Sequence, residues 1–344
     1  KINLSINSLL EKYLNKLNFN NLSKIARSNK VFLTIVALII LFLTYLSIPH
    51  AYNKIEIKAE LENQLFNKFN INFKFSKNFD YNFFPRPHFV IEDSFISENQ
   101  LKISDVKKLH IFVSLNNLFS LKRITVKDVI LENANFNLNK KNSDFFINLL
   151  ENNFLDNSLS IRDSNIFFRN SEKDILFINK ILKMKYYYDP KEFKNIVNSE
   201  NEIFNIPYSY SSYKDKIEKK IYSKIKLKHL KFKIENEIDY NNEKKKGLVN
   251  FIYDKNKSKA FYDWNKKSFN FNFFEKLTNS NFYYEGYINF NPFYSVFKGS
   301  TNKINLSNFF DSNSLSTQLF KTEILNNKNL NIDLNISANK IAQY

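Results

Sequence analysis

Four histidines, His50, His88, His110 and His229, are the side chains of this chain best suited to metal binding or proton transfer. Their spacing matches no metal-ligand pattern, and the absence of cysteine removes thiol chemistry and disulfides. Carboxylates are plentiful, but no spacing nominates an acid–base pair, and HExxH, GxSxG, P-loop and EF-hand motifs are absent. The sequence therefore predicts no catalytic residue, no metal site and no cofactor. An anchored carbohydrate-active enzyme, the enzymatic alternative, would need a cleft with two close carboxylates.

A second set of residues could bury hydrocarbon. These are aromatic and aliphatic side chains that recur at every other position, so that each group lies on one face of a strand. We predict that they line a hydrophobic groove for acyl chains. The sequence leaves open the alternative that the same residues fill a closed sheet core. The predicted lining residues are Phe73, Phe75, Phe136, Leu138, Phe271, Phe273, Ile332 and Leu334.

The elements that carry these residues are mostly strands. The chain has 37 Phe and 19 Tyr but only three glycines and six prolines, which favours β-structure. Predicted helices cover Tyr52 to Phe69, Phe145 to Asn152 and Leu306 to Leu325, too little to cover about fifteen candidate strands. We interpret Lys183 to Lys220 as an irregular excursion, and a slip of the apolar set near His229 as a β-bulge. The predicted fold class is mainly β: an N-terminal transmembrane helix followed by an elongated, curled antiparallel sheet, either a trough or an open barrel.

One segment is typical of a membrane anchor. Val31 to Ile48 has eighteen residues without a charge, and at ~1.5 Å per residue it spans about 27 Å. A cleaved signal peptide is the alternative, but its apolar stretch is normally shorter and ends in a small-x-small site. Residues 11–30 carry five cations against one anion, whereas residues 49–68 carry three of each. This bias predicts a cytoplasmic N-terminus with the remainder on the far side. No second apolar run in the sequence is long enough to span, so we predict a single-pass protein.

The formal net charge of +17 permits a nucleic-acid partner, but it has a simpler explanation. Lys, Asn, Ile, Phe and Tyr dominate the composition, as in proteins encoded by AT-rich genomes, and attraction to anionic lipid headgroups is the second explanation. Lys224, Lys226, Lys228, Lys231 and Lys233 come nearest to a basic patch, and we interpret them as the solvated side of a strand. We predict no nucleic-acid partner.

The order of features between residues 30 and 140 carries a family resemblance. In sequence, the features are the apolar helix, the helix Tyr52 to Phe69, the alternating strand Asn70 to Ser76, the turn Phe84-Pro85-Arg86-Pro87, a strand ending Ile91-Glu92-Asp93, the segment Val106 to Leu121 and the run Ile124-Thr125-Val126-Lys127-Asp128-Val129-Ile130-Leu131-Glu132-Asn133-Ala134. This arrangement resembles the N-terminal region of the AsmA family of Gram-negative envelope proteins. The scarcity of glycine departs from the family pattern, in which turn glycines are frequent.

The resemblance implies an inner-membrane protein with a periplasmic β-rich body that takes part in outer-membrane assembly. It also implies kinship with bridge-like lipid-transfer proteins, so the expected partners are the inner membrane, phospholipid or another acyl-chain lipid, and envelope assembly proteins. A membrane-tethered scaffold or regulatory factor that carries no lipid is the alternative. The expected organisation is a cytoplasmic segment (1–30), an anchor (31–48), an AsmA-like module (49–140) and a β-rich region (141–344) that continues past Tyr344.

Overall fold

A computed structural model describes residues 30–76, 79–98, 101–116, 118–152, 154–239, 245–254, 256–265, 267–277, 280–312, 314–322 and 326–342. All but the last residue of the expected cytoplasmic segment lies outside the described residues. The helices are α1 (Lys30–Ser47), α2 (Lys54–Phe69), α3 (Phe145–Asn148), α4 (Leu306–Phe310) and α5 (Leu315–Phe320), with 3-10 turns at Ile48–Ala51, Leu121–Arg123 and Leu149–Glu151.

The first two helices form where the sequence predicts them. Within the described part of the chain, α1 with its following turn is the one segment long and apolar enough to cross a membrane. The Asn53 side chain caps α2 by accepting from the Ile55 amide, and Asn70 ends α2 in the left-handed conformation. The apolar stripe of α2 is buried, apart from Phe66, which is half-exposed.

In the part of the chain that the structure describes, seventeen strands form one open sheet, which confirms the predicted fold class. They are β1 (Asn72–Lys74), β2 (Phe79–Asn82), β3 (His88–Glu98), β4 (Leu101–Val113), β5 (Val126–Leu138), β6 (Ser158–Arg169), β7 (Ile175–Asp189), β8 (Lys194–Ile203), β9 (Ile206–Asp215), β10 (Lys220–Leu227), β11 (Phe232–Asp239), β12 (Lys245–Tyr253), β13 (Asn256–Trp264), β14 (Ser268–Leu277), β15 (Ser280–Phe290), β16 (Phe293–Asn305) and β17 (Ile332–Ala342).

The strand order follows the chain. β1 and β2 both pair with one edge of β3, and from β3 onward each strand pairs with the next as far as β17. All pairs are antiparallel except β5–β6 and β16–β17, which are parallel. Parallel neighbours need a crossover, and α3 lies in the first of these connections while α4 and α5 lie in the second.

Two sequence-based interpretations are wrong. Lys183 to Lys220 is not irregular, because it contains the last seven residues of β7 and all of β8 and β9. The inward positions of β8 are Val197, Ser199 and Asn201, so the apolar alternation that marks a half-buried strand is absent from its sequence. The slip near His229 is not a bulge but the hairpin turn between β10 and β11, where Leu227 pairs with Phe232.

A row of backbone irregularities crosses five adjacent strands. Asp93, Asn133 and Asp163 have φ values of 53°, 54° and 48°, and the register aligns them with Lys107 on β4 and Leu182 on β7. Each of these residues is an extra residue in the alternation of its strand, so the buried positions shift by one residue in every strand at the same level, for example from Val129 and Leu131 to Ala134 and Phe136 in β5. Because the five strands shift together, one apolar face stays continuous across the row.

The left-handed conformation of Asn133 supports a stability prediction. We expect Asn133→Val to lower the free energy of unfolding by about 1–2 kcal/mol, because a β-branched residue is strained at positive φ. Asn133→Gly should change it little, since glycine adopts this conformation freely. Urea unfolding of the full chain in detergent micelles measures both. Asn135→Val on the same exposed side is the matched control, and an equal loss in that variant would contradict the explanation.

The main hydrophobic core lies between the first nine strands and α2 and α3. We call the face of the sheet that these helices cover the inner face. Four predicted groove residues, Phe73, Phe75, Phe136 and Leu138, lie in this core with exposed fractions of 1%, 6%, 0% and 1%. The prediction that they line an open groove is therefore corrected: the structure's own side chains seal them. Phe136, for example, packs against the rings of the α3 connection at centroid distances of 5.1 and 6.0 Å.

The sheet curls along its length. The Ser171 hydroxyl, in the β6–β7 hairpin, donates to Asn291 Oδ1 in the β15–β16 turn at 2.8 Å. The Asn327 side chain, just before β17, donates to the carbonyl of Leu176 at the start of β7. These contacts bring the last strands back toward the middle of the sheet, so the uncovered part of the inner face lies within a curve.

Candidate functional site

The inner face continues past the closed core into β10–β17. Cross-strand register gives its composition directly, since each residue of a row is the pairing partner of the next and all share one face. The central row from β10 to β17 reads Ile221, Ile238, Gly247, Tyr262, Phe271, Gly286, Phe297 and Leu334. The next row on the same face begins with two polar residues, Ser223 on β10 and Asn236 on β11.

The helical cover ends near the beginning of this row. Ile147 of α3 reaches the small cluster of Ile221, Ile238 and Tyr262, where the inner face is still buried. Farther along, a cavity of about 400 Å³ opens on the inner face, and every residue that lines it belongs to β12–β16. A volume of this size lies within the range of small-molecule sites. The lining residues are Val249, Phe251, Ser258, Ala260, Tyr262, Phe269, Phe271, Phe273, Tyr284, Ile288 and Phe297. We call this cavity and the face around it the trough.

The structure brings half of the predicted groove residues to the trough. Phe271 and Phe273 line the cavity itself. Ile332 and Leu334 lie on the same face at the edge strand β17, and they remain 47% and 66% exposed although α4 contacts that strand. The other four residues are those sealed in the closed core.

Sequence reasoning missed other lining residues, such as Phe251, Tyr284 and Phe297. Around Phe297 the strand reads Tyr294-Ser295-Val296-Phe297, so both alternating sets contain apolar side chains and period two assigns no face. The signal that identifies these residues is the register of neighbouring strands, which the sequence of one strand does not contain.

All three glycines of the chain lie on the inner face within the open strands. A Cβ built on Gly247, Gly286 or Gly299 would meet the ring of Tyr262, Phe271 or Tyr284 on the adjacent strand at 2.1, 2.5 and 2.7 Å. At each glycine, the lack of a side chain lets an aromatic ring from the neighbouring strand pack flat against the backbone. Flat rings give an apolar floor without filling the curve above it.

The hydroxyls on this face are neutral. Burial raises the pKa of Tyr262 to about 12, and its hydroxyl donates to Asn236 Oδ1 at 2.7 Å. Burial also raises the pKa of Tyr284. Both phenols therefore stay protonated at neutral pH, and the middle of the trough presents apolar or uncharged groups to an occupant.

The opposite face of β10 and β11 is charged. Lys224 Nζ lies 3.6 Å from Glu235 Oε1, Lys233 also pairs with Glu235, and Lys220 pairs with Glu237. The hydrogen bond from Lys233 holds the pKa of the Glu235 carboxyl below its ordinary value. These two strands are thus amphipathic, with a charged, solvated side opposite the apolar inner face.

The opposite face also carries a cavity of about 540 Å³, whose lining mixes aromatic side chains such as Phe261 and Tyr287 with the carboxylates of Asp263 and Glu285. Register places their Cα atoms two strands and two residues apart, roughly 12 Å. The Tyr283 hydroxyl donates to Glu285, and Asn270 donates to Asp263 Oδ1 at 3.0 Å. Within the described ranges, no group of three or more His, Asp or Glu side chains is placed to hold a metal ion.

No family model matches the chain, and no curated protein matches it.

Proposed function

We propose that this chain is an inner-membrane-anchored, periplasmic protein of AsmA type that carries acyl-chain lipid in its trough during outer-membrane assembly. The observation that carries the proposal is the apolar inner face of β12–β17, where every described residue that lines the cavity belongs to a strand. An apolar sheet face without a protein cover needs another apolar layer, and hydrocarbon tails supply one.

The energetics favour this use of the trough. Burying one acyl CH₂ is worth ~0.8 kcal/mol, so exposing a two-chain lipid to water costs on the order of 20 kcal/mol. The six strands from β12 to β17 span roughly 24 Å at 4.8 Å per strand, longer than one leaflet's hydrocarbon thickness of about 15 Å. The trough is thus large enough to hold acyl tails while the headgroup stays in water.

The apolar α1 supports the membrane part of the proposal. We take it as a retained anchor with the N-terminus in the cytoplasm, since cations are enriched before it and balanced by anions after it. The sheet, which follows α1 and α2, would then lie on the periplasmic side.

A lipid-free scaffold is the second candidate, and the closed core of the first nine strands favours it. There the inner face is sealed by the chain's own side chains. A scaffold would leave the trough to bind a partner protein or nothing at all.

Photocrosslinking separates the two candidates. A photoreactive phenylalanine analogue at Phe271 or Ile332 should form adducts with phospholipid in cells, because both positions are on the inner face and open to an occupant. The same analogue at Asn272, the next residue on the solvated face of β14, is the control and should yield no lipid adduct. A protein adduct at Phe271 in place of lipid would support the scaffold and contradict lipid carriage.

A further inference from the structure

The end of α1 is fixed to the body of the protein by tyrosines. The Tyr45 hydroxyl donates to the carbonyl of Leu115 at 2.6 Å and accepts from the amide of Leu118 at 3.2 Å. The Tyr81 hydroxyl donates to the carbonyl of Leu46 at 2.7 Å. The helix therefore meets the sheet at a defined place rather than through a free linker.

Two connections lie at this same end of the sheet. One is the β2–β3 turn, and the other is the β4–β5 connection, and the amide of Val113 joins them by donating to the carbonyl of Pro87 at 3.0 Å. The 3-10 turn that follows α1 contacts β2 here as well. Four large apolar side chains of these connections are exposed to solvent: Phe83 (44%), Phe84 (80%), Leu115 (47%) and Phe119 (73%).

We propose that Phe83, Phe84, Leu115 and Phe119 form a bilayer-contact patch that inserts into the membrane interface beside α1. The proposal rests on the anchorage of α1 that the proposed function assumes. The Phe119 ring lies 4.8 Å from the ring of Tyr45 on α1, so the patch is continuous with the surface of the helix. Side chains this close to a membrane-crossing helix are at the depth where aromatic residues concentrate.

Lipid fits this patch better than a protein partner does. Its members come from two short connections, and Phe119 packs against Tyr45 one turn from Phe42 and Leu43, which are exposed apolar residues of the membrane-crossing helix. Arg123, exposed in the same β4–β5 connection, adds a cation where anionic headgroups would lie. Inserted phenylalanines together with a fixed helix end would hold the sheet at one angle to the membrane.

Tryptophan reporters test the patch in the full chain. Trp264 is the single tryptophan, so Trp264→Phe gives a silent background. Into it we place Phe119→Trp as the test, Phe42→Trp within α1 as the positive control and Ile217→Trp as the negative control. Ile217 is 94% exposed in the β9–β10 turn, so it is equally apolar but distant in the strand order. Each variant is reconstituted into phosphatidylcholine–phosphatidylglycerol vesicles whose acyl chains carry bromine.

Quenching by the brominated chains reports contact with the bilayer. We expect about twofold lower emission for Phe119→Trp and Phe42→Trp than in unbrominated vesicles, and no change for Ile217→Trp. An unquenched Phe119→Trp beside a quenched Phe42→Trp would overturn the patch and leave the anchor intact. An unquenched Phe42→Trp would overturn the anchorage itself, and with it the patch. Phe84→Trp repeats the test from the other connection should Phe119→Trp fail to fold.

Discussion

Phe271→Asp is expected to strip bound lipid from the purified chain, whereas Asn272→Asp leaves it in place. Phe271 lies in the central row of the trough, where its ring packs over Gly286 and beside Phe297 at 5.4 Å. A carboxylate at this position would have to stay hydrated, so it would hold water against the acyl chains. Exposing only two CH₂ groups costs ~1.6 kcal/mol, which corresponds to a loss of more than about tenfold in occupancy.

The comparison with Asn272→Asp separates the effect of placing a carboxylate on the inner face from the effect of adding a negative charge to β14. Both substitutions add one carboxylate to β14, one residue apart, but Asn272 points to the solvated side and is exposed. Lipid retained by each chain after purification in mild detergent is extracted and quantified by mass spectrometry. If both variants kept their full amount of lipid, the trough would not be the place that holds it. If both variants lost lipid to the same extent, the loss would be due to the added charge or to misfolding rather than to the inner face.

The sequence predicted the structure best for segments whose surroundings follow from the segment's own residues. The uncharged run of α1 and the capped, amphipathic α2 satisfy local rules, so both helices were predictable to within a few residues. The open sheet followed from the shortage of helix. β8 was missed because its inward residues are Val197, Ser199 and Asn201, whose polarity hides the period of two.

Local sequence could not separate the closed core from the trough. Phe136-Asn137-Leu138 and Phe271-Asn272-Phe273 have the same alternation, with one asparagine between two apolar residues. What distinguishes them is tertiary: the α3 rings lie on Phe136, whereas strand residues alone surround the cavity that Phe271 lines. Whether a strand's apolar face is covered depends on where a crossover helix packs, and the sequence of the strand does not contain that information.

The open strands have their own means of staying folded without a cover. Aromatic rings pair across neighbouring strands, with Tyr262 and Phe269 at 5.0 Å and Phe232 and Phe251 at 6.0 Å. Such pairs contribute roughly 0.2–1 kcal/mol each, and the rings that lie over glycine shield backbone as well. Side chains in the trough are therefore mostly half-buried before any ligand binds, and the sheet does not depend on an occupant to exist.

This difference in coverage predicts a difference in stability between two phenylalanines. Phe136→Ala should lower the free energy of unfolding by about 3–5 kcal/mol, because it opens a cavity among side chains that cannot collapse. Phe271→Ala should cost about 1 kcal/mol, the scale of a cross-strand aromatic pair, since its ring faces open space on one side. Urea unfolding of the full chain in lipid-free micelles measures both, with tyrosine fluorescence following the whole sheet and Trp264 following the trough.

The sign of the difference is the informative part, because the two substitutions remove the same atoms from the same kind of strand. Removing side-chain volume from a closed core lowers the free energy of unfolding, because the core is tightly packed. Removing it from an open ligand-binding surface costs less, because the side chain has protein neighbours on one side only. If Phe271→Ala proved as costly as Phe136→Ala, the ring would have to be enclosed by protein, and the trough could not accept a hydrocarbon chain. A small cost for Phe271→Ala together with the loss of lipid in Phe271→Asp would instead assign this aromatic face to binding rather than to the stability of the fold.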